Sequence, residues 1–194
     1  SGNFEEVAGG IQSNPPIHQE GNTIRIEPIN AEEGGRRLSL SYEITVPKET
    51  RLRARTGSGG IRVAGLAGDV RVDTASGRIE LAGISGEVGA HTGSGSIDAV
   101  DTAGAVVARA GSGTIRIEQT AHAAVTARTG SGSMRVRLPT QGGFDIRGET
   151  GAGSVQLKAP VAVRSSAGGR TLNTTLRGGG PLVHLSTGSG SIRI

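Results

Sequence analysis

The sequence predicts an all-β protein, a single-stranded right-handed parallel β-solenoid (β-helix) with rungs of about 18 residues. A Thr-Gly-Ser-Gly turn recurs, and its closing glycines stand at 59, 77, 95, 113, 132, 153 and 190. Each turn is followed by a strand in which apolar and polar residues alternate, and 13 of the 34 glycines stand in these turns. A fixed period of this length is typical of stacked repeats that bury their apolar faces against one another. Parallel crossovers favour the right-handed coil.

Residues 1–50 lack the repeat, and we expect them to form N-terminal strands that start or cap the stack. Alternation over residues 23–27 and 38–46 predicts two strands with one buried face, and Pro47 ends the second. Residues 51–194 are then one continuous domain of solenoid repeats.

Each repeat divides into two strands, shown in the first repeat by residues 61–63 and 70–72, with Gly65 and Gly68 at the corner between them. Stacking the repeats in sequence order predicts columns of inward side chains. The leading column of the first strand is Ile61, Ile79, Ile97, Ile115, Met134, Val155 and Ile192. The columns of the second strand are Val70, Val88, Val106, Val125 and Phe144, beside Val72, Ala90, Ala108, Ala127 and Ile146.

The threonines that open the turns lie an even number of residues after the inward side chains of the same strand, so they are expected to point inward as well. We expect their hydroxyls to form a structural ladder, bonding along the stack or to turn amides; its members are Thr56, Thr74, Thr92, Thr129 and Thr150. A phosphate-binding loop would need a lysine and a following helix, and a calcium-binding β-roll would need aspartates in the turns. Both are missing here, so the turns are interpreted as scaffold.

The amino-acid composition limits the classes of function that we expect. Hydrophobic residues make up 34% of the chain and aromatic residues 2%, which suits a thin core of Val, Ile, Leu and Ala. The net charge is +4 and 19 of the 21 basic residues are arginine, but they form no run and no aromatic platform accompanies them, so no nucleic-acid partner is expected. No stretch is long and apolar enough to span a membrane. The chain begins Ser-Gly rather than Met, and we expect that a leader or anchor precedes it in the native protein.

The outward side chains are the candidates for function. On the first strand, Glu80 beside Asp98 could attract a cation, but pairing with the flanking Arg62 and Arg116 is favoured, so no metal site is expected. The second strand predicts a basic column that follows Asp73. Its members are His91, Arg109, Arg128 and Arg147. Stacked arginines repel one another unless an anion faces them, such as Glu149, an anionic glycan, a lipid head group or a surface protein. The alternative is that the column is a solvated face without a partner.

Catalysis finds little support in the pattern. The four histidines, His18, His91, His122 and His184, lie at unrelated phases, and metal-ligand spacing is absent. Polysaccharide-cleaving β-helices cluster their carboxylates, whereas the acids here are dispersed among arginines. We therefore expect neither an enzyme nor a cofactor.

The sequence ends on an alternating strand, residues 191–194, with no capping segment after it. A bare terminal rung exposes unpaired backbone groups and an apolar column, which predicts self-association through the C-terminal rung.

The stretch 42–50, followed by Leu52-Arg53-Ala54-Arg55-Thr56-Gly57-Ser58-Gly59 and repeated Gly-x-Ile-x-Val/Leu units, resembles the bacterial adhesin-like DUF4097 family, also called toastrack. The resemblance covers the chain from about residue 20. It implies an extracytoplasmic solenoid, at the cell surface or in the periplasm, that is non-enzymatic and adhesin-like. The alternatives are an envelope-stress sensing or regulatory module that binds a membrane partner and, less favoured, a polysaccharide-acting enzyme.

Overall fold

The computed structural model describes residues 16–27, 32–33, 36–37, 41–158 and 169–194. The chain divides into two compact units, residues 1–45 and 46–194. Within the described ranges all regular structure is β-strand and no helix is present, as predicted.

The first unit contains two short antiparallel pairs in its described residues. Strand β1 (Ile17–Glu20) pairs with β2 (Thr23–Ile26), and β3 (Glu32–Glu33) pairs with β4 (Arg36–Arg37). The strand predicted over 23–27 is confirmed by β2. The strand predicted over 38–46 is wrong for residues 41–46, which lie in no strand, and residues 38–40 lie outside the described residues. None of β1–β4 belongs to the stacked sheets, so these strands are not rungs of the solenoid, and capping stays a prediction.

The second unit is a β-solenoid built from two stacked sheets, which contain eight and seven strands in the described residues. A rung consists of one strand from each sheet. The eight-strand sheet runs in space β5 (Leu52–Thr56), β7 (Val70–Ser76), β9 (Val88–Ser94), β11 (Val106–Ser112), β13 (Val125–Ser131), β18 (Leu182–Ser189), β15 (Phe144–Ala152) and β17 (Thr171–Leu176). The seven-strand sheet runs β6 (Ile61–Ala64), β8 (Ile79–Ile84), β10 (Ile97–Thr102), β12 (Ile115–Gln119), β14 (Met134–Arg137), β19 (Ile192–Arg193) and β16 (Val155–Gln156). All pairings in the two sheets are parallel except that of β17 with β15.

Alternation along the strands produces the core. In β7 the burial alternates from Val70 through Thr74, and the same pattern recurs in β9, β11 and β13. The largest fully buried side chains include Ile79, Ile97 and Ile115 of one column. Each such side chain stabilises the fold by about 1.5–3 kcal/mol through burial, so a column of them replaces the large aromatic residues of a globular core.

The C-terminal rung is not terminal in space. Strand β18 lies between β13 and β15, and β19 lies between β14 and β16. The prediction of a bare rung at residues 191–194 is therefore wrong, because both of its strands are paired on both sides. Without a free edge there, the argument for self-association through this rung loses its basis.

Two inward columns predicted for the second strand also need correction. Ile146, rather than Phe144, occupies the level of Val125 and Val183, and Gly148 occupies the level of Ala127 and Leu185. Strand β15 begins one inward position earlier than its neighbours. Phe144 fills that extra position, where its ring packs edge-on against His122 with centroids 4.9 Å apart.

Four of the five threonines predicted to form a ladder bond along the stack, and Thr187 does the same. Each hydroxyl donates to the carbonyl oxygen of the closing glycine of a neighbouring rung. The bonds are Thr74 to Gly59 (3.3 Å), Thr92 to Gly77 (3.1 Å), Thr129 to Gly113 (3.3 Å), Thr187 to Gly132 (3.1 Å) and Thr150 to Gly190 (2.9 Å). Thr56 lies on β5, the first strand of the sheet, and forms no such bond within the described ranges.

The closing glycines are required by how closely the turns stack. A Cβ added to Gly113 would lie 1.8 Å from the carbonyl oxygen of Gly95, and the φ of Gly113 is +145°. No other residue fits this position, because the contact is with backbone that cannot move aside without separating the rungs.

Candidate binding surface

Three members of the predicted basic column lie side by side. Residues His91, Arg109 and Arg128 are direct register partners on β9, β11 and β13, and all three side chains are exposed. Neighbouring strands are about 4.8 Å apart, so the two arginines extend from adjacent rungs on the same face. We call these three residues the arginine column of the eight-strand sheet.

Arg147 does not belong to this column. It lies opposite His184, which in turn lies opposite Thr126, so it occupies a column two residues away along the strand. The sequence contained the signal for the correct register. Glu149 directly precedes Thr150, just as Arg128 directly precedes Thr129. Glu149, rather than Arg147, therefore lies at the level of Arg128.

The arginine column is not neutralised by neighbouring carboxylates. Asp73, which precedes His91 in the column, is paired with Arg55 at 3.4 Å. On the other side Ser186 follows Arg128, and the Glu149 carboxylate beyond it lies 3.9 Å from the imidazole of His184. Within the described part of the chain neither Arg109 nor Arg128 forms an ion pair, so two adjacent guanidinium groups face solvent.

The outward column predicted for the seven-strand sheet is confirmed from Arg62 to Arg135, with one change of partner. Glu80 is paired with Arg62 as expected, with Nε and Oε2 2.7 Å apart, but Asp98 is paired with Arg78 at 2.9 Å rather than with Arg116. Arg78 also lies 3.1 Å from Glu80. The hydrogen bond from Arg62 lowers the pKa of the Glu80 carboxyl below its usual value. Both carboxylates are therefore occupied by arginines.

Insertion of the C-terminal rung brings together a second group of arginines that the order of the repeats in the sequence did not predict. Arg193 lies opposite Arg135, and Arg135 lies opposite Arg116. Glu118 lies beside them, paired with Arg116 at 2.5 Å and with Arg137 at 3.1 Å, while Asp98, opposite Arg116, is paired with Arg78. The hydrogen bond from Arg116 lowers the pKa of Glu118. Stacking in sequence order would have placed Arg193 beyond Gln156, away from Arg135.

In residues 16–27, 32–33, 36–37, 41–158 and 169–194, no group of three or more His, Asp and Glu side chains is arranged to hold a metal ion. No helix long and apolar enough to cross a membrane is found in the same residues. His122 is used in the fold, since its ring nitrogen bonds to the carbonyl oxygen of Gly143.

Comparison with known proteins identifies one relationship. A family model described as Toastrack DUF4097 matches residues 47–194, which is nearly the whole solenoid unit. No curated protein and no solved structure matches the chain.

Proposed function

Because the chain belongs to the Toastrack DUF4097 family, whose function is unknown, we propose that it is a non-enzymatic binding scaffold, adhesin-like and located outside the cytoplasm. The rigid stack presents side chains at fixed spacing on two broad faces. On this proposal the arginine column of the eight-strand sheet contacts an anionic partner, such as an acidic glycan, a lipid head group or an acidic surface protein.

One observation carries the proposal. Arg109 and Arg128 are exposed neighbours with no ion pair among the described residues, whereas Arg55 on the same sheet lies 3.4 Å from Asp73. Adjacent like charges destabilise a sheet, so an uncompensated pair is more readily explained by a ligand than by stability.

A polysaccharide-acting enzyme and a sensing or regulatory module would each need a different kind of surface. A polysaccharide-cleaving enzyme would need free carboxylates close together. The carboxylates of Glu80, Asp98 and Glu118 instead form ion pairs with arginines, which favours a binding function. A sensing or regulatory module would bind a membrane partner, and it is favoured if neither the glycans nor the vesicles of the assay below are bound.

The test is an array of anionic and neutral glycans, together with phosphatidylglycerol and phosphatidylcholine vesicles. Wild type is compared with the double variant Arg109→Gln, Arg128→Gln. The matched control is Arg71→Gln, Arg147→Gln, which removes the same charge from the same sheet but from the other exposed column. We expect the first double variant to lose affinity for an anionic ligand by about tenfold or more, and the control to retain it within about twofold.

A further variant separates binding from stability. Arg128→Glu places a carboxylate opposite Arg109, so we expect a higher urea midpoint together with weaker binding. Equal binding by wild type and the Arg109/Arg128 variant, or no anionic ligand for either, contradicts the assignment of this column.

A further inference from the structure

The far half of the seven-strand sheet presents the densest group of cations in the described residues. Arg116, Arg135 and Arg193 lie opposite one another on consecutive strands, Arg137 lies on the same strand as Arg135, and Lys158 follows β16. All five side chains are exposed, and we call them the basic patch.

The charges on this sheet are segregated along the stack. In the near half, Glu80 and Asp98 are neutralised by Arg62 and Arg78. In the far half, Glu118 is shared by two of the five cations, and Asp98, which lies opposite Arg116, is already paired with Arg78. Within the described ranges Arg135, Arg193 and Lys158 form no ion pair. The patch therefore keeps a concentrated positive potential at an exposed surface.

The surroundings of the basic patch are polar. On the four rungs of the patch, a hydroxyl residue follows the closing glycine, and backbone bonds hold these residues in register. They are Thr114, Ser133, Ser191 and Ser154. Gln156 lies opposite Arg193 and continues the row of Arg116, Arg135 and Arg193. The exposed large hydrophobic residues among those described are Ile17, Ile24, Tyr42, Ile44, Val107 and Leu182, and none of them is on this sheet.

We propose that the basic patch binds a linear polysaccharide that carries carboxylate groups and lies along the stack. Guanidinium groups pair bidentately with carboxylates, and here they repeat at the strand spacing of about 4.8 Å, so successive anionic groups of one polymer meet successive arginines. The hydroxyl row and Gln156 supply hydrogen bonds for sugar hydroxyls. Among the described residues this face exposes no large apolar side chain to insert into a bilayer and no aromatic ring on which a base could stack. This proposal rests on the proposed function, because it takes the chain to be a binding scaffold. It uses the other sheet, so an experiment can contradict one proposal without contradicting the other.

The experiment measures binding of fluorescently labelled polygalacturonate oligomers, with dextran as the neutral probe. The test variant is Arg135→Gln, Arg193→Gln. Its matched control is Arg53→Gln, Arg71→Gln, which removes the same charge from two register partners on the opposite sheet. We expect the test variant to lose about tenfold or more in affinity, the control to change by less than about twofold, and wild-type binding to weaken as salt rises.

A gain-of-affinity variant complements these losses. Glu118→Gln removes the carboxylate that holds Arg116 and Arg137, so it frees both guanidinium groups and should tighten binding to polygalacturonate. Urea unfolding of each variant confirms that the fold is retained. The proposal is overturned if wild type does not bind polygalacturonate, or if both double variants lose affinity equally. Tighter, patch-dependent binding to duplex DNA or to phosphatidylglycerol vesicles also overturns it, because the ligand class would then be wrong.

Discussion

The hydroxyl of Thr150 donates to the carbonyl oxygen of Gly190 over 2.9 Å, which joins the rung of β15 and β16 to one formed by residues much later in the chain. The same bond connects other neighbouring rungs, because each repeat brings a threonine to the level of the closing glycine beside it. Ala110 breaks the series. It lies between Thr92 and Thr129 in the register but has no hydroxyl to donate.

This difference gives opposite expectations for two substitutions. Thr92→Val keeps the shape of a fully buried side chain but leaves the Gly77 carbonyl oxygen without its donor, so we expect the free energy of unfolding to fall by about 1 kcal/mol. Ala110→Thr adds a hydroxyl facing Gly95 and should raise the free energy of unfolding by up to about 1 kcal/mol. Urea unfolding measures both through the midpoint at constant slope. If both variants shift the midpoint in the same direction, the ladder does not act as described.

The closing glycines provide a second prediction. Gly113→Ala forces a Cβ to within 1.8 Å of the Gly95 carbonyl oxygen, and we expect it to cost on the order of 3 kcal/mol or to prevent folding. Gly57→Ala is the control, because a Cβ there meets nothing within 4 Å and Ala75 already occupies the same position of the next repeat. Its expected cost is within about 0.5 kcal/mol. Comparable losses for both variants would mean that turn entropy, rather than rung contact, selects glycine.

The position of the C-terminal rung can be tested by cross-linking, since the chain has no cysteine of its own. Ser131 lies opposite Ser189, so Ser131→Cys with Ser189→Cys should form a disulfide on mild oxidation. Ser131→Cys with Ala152→Cys should not, because Ser189 lies between them and two strand spacings, about 9.6 Å, exceed the reach of a disulfide. Mobility on a non-reducing gel shows whether the disulfide has formed. Stacking in sequence order would give the reverse pattern.

The ion pairs of the seven-strand sheet predict a small dependence of stability on pH. The pKa values of Glu80 and Glu118 are lowered in the folded protein by hydrogen bonds from Arg62 and Arg116. Their contribution is therefore present above the unfolded glutamate value of about 4.3 and is lost as pH falls through the lower folded values. We expect the urea midpoint to decrease below pH 4.3, and Glu80→Gln with Glu118→Gln to remove part of that decrease. The effect is small because the pairs are exposed to solvent.

The control for this measurement is Glu49→Gln with Glu87→Gln, because neither carboxylate forms an ion pair in the described residues. A control that flattens the pH profile as much as the Glu80/Glu118 variant would show that net charge, not pairing with arginine, governs the profile.

The sequence predicted the stack well where the repeat is regular. The period of 18–19 residues up to Arg137 assigns every inward and outward column there, including Arg109 opposite Arg128. Beyond that point the order of rungs was not predictable. Every repeat carries the same turn and the same apolar positions, so each fits beside any other, and alternation specifies the face of a residue but not its neighbour. Only the structure could place Arg193 beside Arg135. The shift of Arg147 out of the predicted column, in contrast, could be read from its distance to Thr150 along the sequence.

The insertion of β18 and β19 has a consequence for how the protein is made. A solenoid stacked in sequence order can add rungs as the chain leaves the ribosome, each new rung resting on the last. Here β15 and β16 emerge before the strands that connect them to β13 and β14. The apolar faces on either side of that gap stay open until residues 182–194 have been synthesised. Closure of this fold therefore waits for residues 182–194, and a nascent chain stalled before that point holds two partial stacks separated by an unfilled slot.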